Sequence, residues 1–477
     1  MNHEAAMHRR TLLAAGGATL AVGPSVLGAA MASDLDALRA RLSGKLITAG
    51  DPAYEGARRT RSFNPETVKR PLAIALCASH DDVRRALDFA VARRVEVAVR
   101  AGGHDVLGAS TVDGGLVIDL APMASIEIDP ARRSARIGAG VISGAFNRAA
   151  GAHGLAPVLG CHPGVGVAGL TLGGGIGWLA GAHGATCDQL VGAELVTADC
   201  ARLSADADTR PELFWALRGG GGNFGVATSL EFRLVPMAPI YGGTIAYRIG
   251  ERGALANLLG QYRELMAEAP DELVVELSLS TSGGAPIALA LVCWSGRPER
   301  GSEAIAPLRR ATAPLFEQMG VVPFARLAGG APPLPANLFW RGASLDRLND
   351  AAIAGLEEAV RRAPPGWSIG LGHVMHGRIA APEAHTAFPR QAGKLAYFVN
   401  AGWPDGMSGA AGMAWVRETM SALAAASSAS TYVNYLSDDA EPAVALAYGD
   451  RFARLRQIKR RYDPDNVFRH DRNIPPC

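Results

Sequence analysis

Two glycine-rich runs constrain this chain more than any other feature of it. The first is Val99-Arg100-Ala101-Gly102-Gly103-His104-Asp105, where a strand-like run (Val95, Val97, Val99) stops at a glycine pair and a histidine follows at once. The second, 160–177, reads Gly160-Cys161-His162-Pro163-Gly164-Val165-Gly166-Val167-Ala168-Gly169-Leu170-Thr171-Leu172-Gly173-Gly174-Gly175-Ile176-Gly177. Glycine lets the backbone bend and lets N–H groups approach an anion closely. The histidine adds a nucleophilic ring nitrogen where the chain turns. Together the runs point to a site for a large phosphate-bearing cofactor, and the histidine to a covalent tether.

With 477 residues, 48% of them hydrophobic and 19% charged, the chain can build two or three domains with substantial cores. A formal net charge of +2 and the lack of a basic block argue against nucleic acid as a partner. Six cysteines are scattered without CxxC pairs or zinc-type histidine spacing, so no metal site is expected. At the N-terminus, Arg9-Arg10 precedes an apolar run ending at Val22, and Ala30-Met31-Ala32 offers a small-residue cleavage site. Residues 1–32 therefore read as a twin-arginine export signal, with a periplasmic or secreted destination. The apolar run is too short for a membrane span. That route carries folded, cofactor-loaded proteins.

Along the chain, Ser79-His80-Asp81-Asp82 reads as a capping box opening an amphipathic helix with Val83, Leu87 and Ala90 on one face. Strands are expected at 95–100, 116–120 and 135–141 and a helix at 142–153. Pro236 and Pro239 mark a boundary. Beyond it, strands at 241–249, 273–280, 367–379 and 395–401 mix with helices at 255–267, 303–319 and 351–362, and a last helix covers 444–461. In 273–280, Leu273, Val275, Leu277 and Leu279 alternate with Val274, Glu276, Ser278 and Ser280. One face of that antiparallel-type sheet should pack on helices while the other meets water or a ligand.

No GxGxxG lies between a strand and a helix with an acidic residue about 20 positions on, and no GxxxxGKS/T occurs, which disfavours a Rossmann site and removes a P-loop. A third glycine cluster lies at 219–225. Arg100-Ala101-Gly102-Gly103-His104, the 164–177 run, Asp188-Gln189-Leu190-Val191-Gly192-Ala193-Glu194-Leu195-Val196-Thr197-Ala198, the block from Pro211 to Gly225, and the tail Tyr462-Asp463-Pro464-Asp465-Asn466-Val467-Phe468-Arg469 with Asn473-Ile474-Pro475-Pro476 resemble the FAD-linked oxidases of the berberine bridge enzyme family. Within that family, 136–198 is most similar to the bacterial 6-hydroxy-D-nicotine oxidase-like branch. The resemblance is densest over 95–235 and 430–477 and weak across 240–430. It implies an α+β fold: a PCMH-type two-lobed FAD-binding domain over 45–236, a substrate-binding α+β domain with an antiparallel sheet over 237–429, and a segment, 430–477, returning to the FAD domain.

The resemblance also implies roles. His104 attaches to the flavin 8-methyl carbon, and Arg100, Ala101, Gly102, Gly103 and Asp105 accompany it at the cofactor. His162, Val165, Gly166, Gly169, Gly173, Gly174, Gly175, Gly177, Val226 and Asn466 complete the cofactor-binding set, with amides of Gly102, Gly103 and 173–177 cradling pyrophosphate and isoalloxazine. Many members carry a second link through the cysteine of Cys-x-x-Val-Gly. Counting back from Val165-Gly166 puts that position on His162, with Cys161 one residue upstream. A single tether at His104 is the expectation, with Cys161 a packed thiol and His162 a polar contact. Val165 matches the family position that gates dioxygen. Thr431-Tyr432-Val433-Asn434-Tyr435 matches the family's Tyr-x-Asn-Tyr block, and alternation puts Tyr432 and Asn434 on one face. Tyr432 is the candidate base or substrate-orienting hydroxyl, with Glu276, His373 and His376 as alternatives. A free tyrosine titrates near pH 10, so it needs a cationic or hydrogen-bonded neighbour. The expected activity is oxidation of a small substrate at a carbon bearing OH or NH, with dioxygen reduced to hydrogen peroxide. The alternatives are a dehydrogenase with another electron acceptor and, outside enzymes, a flavin- or ligand-storing protein.

Overall fold

The computed structural model describes residues 24–61, 69–105, 107–330, 334–381, 385–437 and 440–477. Arg9-Arg10 and the apolar run after them lie outside the described residues, while Ala30-Met31-Ala32 falls within a helix, Pro24–Arg41. Among the described residues, the helix Pro24–Arg41 belongs to one compact unit and the chain from Leu42 to Cys477 to a second.

The second unit begins with a four-stranded sheet ordered Lys45–Thr48, Ala73–Leu76, Leu116–Asp119, Val97–Arg100, whose last three strands are parallel. A parallel pair needs a crossover, and the helix His80–Arg93 supplies it. Ser79 caps that helix by accepting the Asp82 N–H at 3.1 Å, and Val83, Leu87 and Ala90 are fully buried. Arg94 in the left-handed region (φ 54°) ends it. Asp82 departs from a reciprocal capping box: its carboxylate accepts from the backbone of Ser43, Gly44 and Ala78. The second lobe is an antiparallel five-stranded sheet ordered Ile126–Asp129, Ser134–Gly138, Val226–Arg233, Leu190–Val196, Arg202–Asp206.

The third sheet is antiparallel and seven-stranded, in the order Pro314–Val322, Ile240–Arg248, Ala285–Trp294, Leu273–Ser282, Trp367–Val374, Leu395–Trp403, Asn337–Leu345. Leu273, Val275, Leu277 and Leu279 are buried in one core with residues of the helices Ala254–Ala267, Asp350–Arg361 and Ala410–Leu423. Glu276, Ser278 and Ser280 on the opposite face stay half-buried. The alternation expected at 273–280 is thus realised.

Three expectations fail. The helix at 303–319 is two short helices, Pro298–Ala304 and Ala306–Ala311, followed by the strand Pro314–Val322. Pairing of that strand with Ile240–Arg248 overrides the local helical pattern. The strand expected to reach 379 stops at Val374, before Gly377 (φ 62°) opens a 3-10 turn, so His376 is not on a strand. The helix at 444–461 breaks at Gly449 (φ 56°) into Glu441–Tyr448 and Phe452–Tyr462.

The tail packs against the rest of the second unit through buried polar contacts. Lys459 and Asp463, both fully buried, pair at 2.6 Å, one helical turn apart. Lys459 also donates to the carbonyls of Asn223 and Phe468, and Asp463 accepts from the amides of Val467 and Phe468. Breaking such a pair leaves one buried charge alone, at a cost of about 3–5 kcal/mol. Lys459→Ala or Asp463→Ala should therefore lower the unfolding free energy by an amount in that range; an unchanged denaturant midpoint would contradict this packing.

Candidate active site

The strand Val97–Arg100 delivers the first glycine run to the end of the parallel sheet. Arg100 is buried, and its guanidinium is fully engaged: Nε donates to Asp119 Oδ2 at 2.9 Å and the Nη atoms donate to the carbonyls of Ala57 and Arg59. Asp105 is similarly committed. It pairs with Arg472 of the tail at 2.6 Å and accepts from the amides of Leu107 and Ala109. Burial alone would raise the Asp105 carboxyl, but the Arg472 charge and the hydrogen bonds outweigh it and hold it below its ordinary value. Both residues were expected at the cofactor. Their charged groups are engaged by protein partners and brace the two ends of the bend.

Between these braced ends, two glycines touch. A Cβ on Gly102 would sit 2.7 Å from Gly166 Cα, and one on Gly166 would sit 2.9 Å from Gly102 Cα and 3.2 Å from Ala101 Cβ. No other residue type fits either position without moving backbone. The contact sets His104 against His162, with ring centroids 5.0 Å apart and planes inclined at 52°. Gly164 makes room for both: a Cβ there would be 3.1 Å from His104 Nε2 and 3.2 Å from His162 Cε1. Burial, then the neighbouring His162 and Arg61, lowers the His104 imidazole to about 3, so the ring is neutral at ordinary pH. His162 is also lowered, by burial and Arg61.

The remaining expected residues divide. Val165 is half-buried, and its carbonyl accepts from Ser143 N–H and Oγ. Gly169 is exposed on the helix Val167–Leu172 with open space around it. The 173–177 run is a packing hub. Gly173 abuts the Asn434 amide, Gly174 (φ 108°) the Phe388 ring, Gly175 (φ 86°) the Thr186 side chain, and Gly177 the Leu159 carbonyl. The Gly174 amide donates to the Thr171 carbonyl and the Gly175 amide to Tyr432 Oη, so these two amides do not form the expected cradle. Val226 is buried at the start of its strand, paired with Val196.

Sequence reasoning missed Ser110 and Thr111. Their hydroxyls, with His162 Nε2 and Asn466 Oδ1, are buried and have no hydrogen-bond partner among the described residues. The run Gly108-Ala109-Ser110-Thr111, small and hydroxylic directly after the bend, was the available signal. Hydroxyls and an imidazole donor beside a neutral histidine suit a phosphate-bearing, nitrogen-rich ring cofactor, so the residues present fit FAD.

Tyr432 and Asn434 do come together, though on a 3-10 turn, Val433–Tyr435, rather than on a strand. Tyr432 Oη accepts from Asn434 Nδ2 at 2.8 Å and from the Gly175 amide at 3.1 Å. Burial nevertheless pushes its hydroxyl well up, so the phenol is protonated near neutral pH. His376 Nδ1 lies 3.0 Å from the Val374 carbonyl, and the side chain of His373 lies outside what the structure describes. Glu276 projects from the open face of the seven-stranded sheet and hydrogen-bonds the Cys161 thiol, which burial and Glu276 together hold protonated. Cys161 otherwise packs against an apolar cluster containing Trp178 and Cys293.

On the same face, Trp340, Phe398 and Tyr435 meet edge to face with centroids 5.6, 5.8 and 5.9 Å apart. Two glycines make this wall possible, since a Cβ on Gly370 would strike the Phe398 ring and one on Gly342 would sit 2.9 Å from Tyr435 Cβ. Tyr435 Oη lies 4.0 Å from the place of a Cβ on Gly372, just past the Leu371–Leu277 pair and hence beside Glu276. Among the described residues no group of three or more His, Cys, Asp or Glu could hold a metal, and no helix is long and apolar enough to cross a membrane.

Comparison with known proteins decides the family. A family model described as FAD binding domain matches residues 71–205, and one described as berberine and berberine like matches 431–475. The (R)-6-hydroxynicotine oxidase of Paenarthrobacter nicotinovorans is 33% identical over 454 residues, covering 91% of this chain and 97% of that one. The chain belongs to the berberine-type FAD-linked oxidoreductases. The crystal structure of 6-hydroxy-D-nicotine oxidase from Arthrobacter nicotinovorans matches this berberine-type enzyme with a TM-score of 0.83 at 28% identity, over 91% of this chain and 98% of that one. A berberine bridge enzyme variant described as a reticuline dehydrogenase matches with a TM-score of 0.82 over 93% and 99%; at 20% identity this is a likeness of fold alone.

The glycine contacts of this berberine-type fold are directly testable. Gly166→Ala should destabilise by more than about 2 kcal/mol, because a backbone must move. Gly169→Ala, mid-helix in open space, should stabilise by about 0.5–1 kcal/mol. Equal thermal midpoints for the two variants would contradict the contact.

Proposed function

We propose that this chain is an exported flavoprotein oxidase with FAD attached covalently through His104, which takes a hydride from a carbon bearing OH or NH and passes the electrons to dioxygen as hydrogen peroxide. The observation that carries the reading is the neutral His104 imidazole, buried where the two glycine runs meet. Bound FAD supplies the two-electron acceptor for the hydride.

The protein's own residues supply the rest. Bond formation to carbon needs a ring nitrogen with a free lone pair, and burial keeps His104 in that unprotonated form. Removing a hydride from carbon leaves the OH or NH proton to be taken by a base. The Glu276 carboxylate, beside Tyr435 on the open sheet face, is suited to that role and Tyr432 is not. The Trp340, Phe398 and Tyr435 rings give the substrate an apolar wall to lie against. The relative named (R)-6-hydroxynicotine oxidase supports oxidation at a carbon that bears nitrogen. Val165, on the loop that touches Gly102, matches the family position that gates dioxygen, which favours an oxidase over a dehydrogenase. Export rests on Arg9-Arg10 and the apolar run after them; retention of an Arg9→Lys, Arg10→Lys double variant in the cytoplasm would support it, and unchanged export would remove it.

Covalent incorporation into FAD-free protein should keep the same rate from pH 8 to pH 5 and fall only as the pH nears about 3. A solvated imidazole would present about thirty-fold fewer neutral rings at pH 5, so a thirty-fold slowing there would contradict a desolvated His104.

A panel of small secondary amines and alcohols should include substrates that consume oxygen and release hydrogen peroxide one for one. Glu276→Gln should lower kcat/KM for them by about 10²–10⁴. Turnover with a quinone dye but not with oxygen would make the enzyme a dehydrogenase, and full activity in Glu276→Gln would remove Glu276 as the base.

A further inference from the structure

His162 lies against His104, with ring centroids 5.0 Å apart, and is expected from the sequence only as an unspecified polar contact of the cofactor. Its Nδ1 accepts the Gly164 N–H at 3.1 Å. A ring nitrogen that accepts carries no hydrogen, so in the neutral ring the hydrogen sits on Nε2. Burial and the charge of Arg61 keep the ring neutral at ordinary pH. His162 Nε2 is therefore a fixed N–H donor, and it is buried with no acceptor among the described residues. A buried donor without an acceptor is costly, and such a group in a pocket implies a partner that the protein itself does not provide. Gly164 eases this arrangement, because a Cβ there would press on both imidazoles, 3.1 Å from His104 Nε2 and 3.2 Å from His162 Cε1.

We propose that His162 is a positioning residue that donates a hydrogen bond from Nε2 to the flavin held at His104, and is not a second point of attachment. Neither nitrogen of His162 can form a bond to carbon as the ring stands, since the Nδ1 lone pair is engaged by Gly164 and Nε2 carries hydrogen. A fixed donor interacts more strongly with the electron-rich reduced flavin than with the oxidised one, so His162 raises the reduction potential. The inference rests on the reading of His104 as the anchor.

The test uses FAD-loaded His162→Ala, His162→Gln and His104→Ala proteins, with two readouts: flavin fluorescence in a denaturing gel, and the midpoint potential. Both His162 variants should keep the full fluorescent band. The potential of His162→Ala should fall by about tenfold in the two-electron equilibrium, ~30 mV, while His162→Gln, which retains an N–H donor, should recover most of it. An unchanged potential in His162→Ala, a Gln variant as low as Ala, or a band lost on changing His162 would each overturn the inference. A band that survives in His104→Ala would instead overturn the anchor reading, whatever the potentials show; if that band then disappeared in the double variant, His162 would be the tether and both readings would fall.

Discussion

The pocket depends on one place where two backbones touch, at Gly102 and Gly166. Neither glycine has a side chain to hold the other away, and a Cβ on either would sit within 3 Å of backbone. That contact joins a bend at the end of the parallel sheet to the loop preceding the helix Val167–Leu172. Because the loops meet there, His104, His162 and Val165 share one space although the first is some sixty residues from the others in sequence. The contact is steric rather than energetic in origin: it permits an approach, and other interactions hold it.

Those other interactions are ion pairs kept out of the pocket. Arg100 is neutralised by Asp119, and Asp105 by Arg472, each at hydrogen-bond distance. With flanking charges paired in this way, the electrostatics at His104 are dominated by loss of water, which lowers the imidazole. The same desolvation acts on Tyr432 and Cys161 in the opposite sense, keeping both protonated. One physical cause thus leaves the imidazole unprotonated and keeps the phenol and the thiol protonated. The tail contributes directly, because Arg472 lies beyond the buried Lys459–Asp463 pair that anchors it.

Much of this was legible in the residues. The helix after Ser79, the strand ending at Arg100 and the alternation at 273–280 follow from capping and period-two patterns, and the structure keeps all three. The strand Pro314–Val322 was not legible, since pairing with Ile240–Arg248 decides it and local pattern does not. Within the site, sequence could identify glycines but not what each one accommodates: Gly166 admits a backbone, Gly173 an asparagine amide and Gly174 a phenyl ring. Arg100 and Asp105 stand beside the key histidine in the sequence, but their partners, Asp119 and Arg472, are set by the fold. The aromatic wall was hidden for a similar reason, because Trp340 and Phe398 come from strands separated in sequence and meet only through strand pairing.

The central claim is that a single histidine anchors the flavin. Tryptic peptides of the natively purified enzyme test it most directly. The peptide 101–132 contains one histidine, His104, and the peptide 149–202 contains Cys161 and His162. The account predicts a flavin mass on 101–132 and none on 149–202. A flavin mass on 149–202, or on neither peptide, would contradict it.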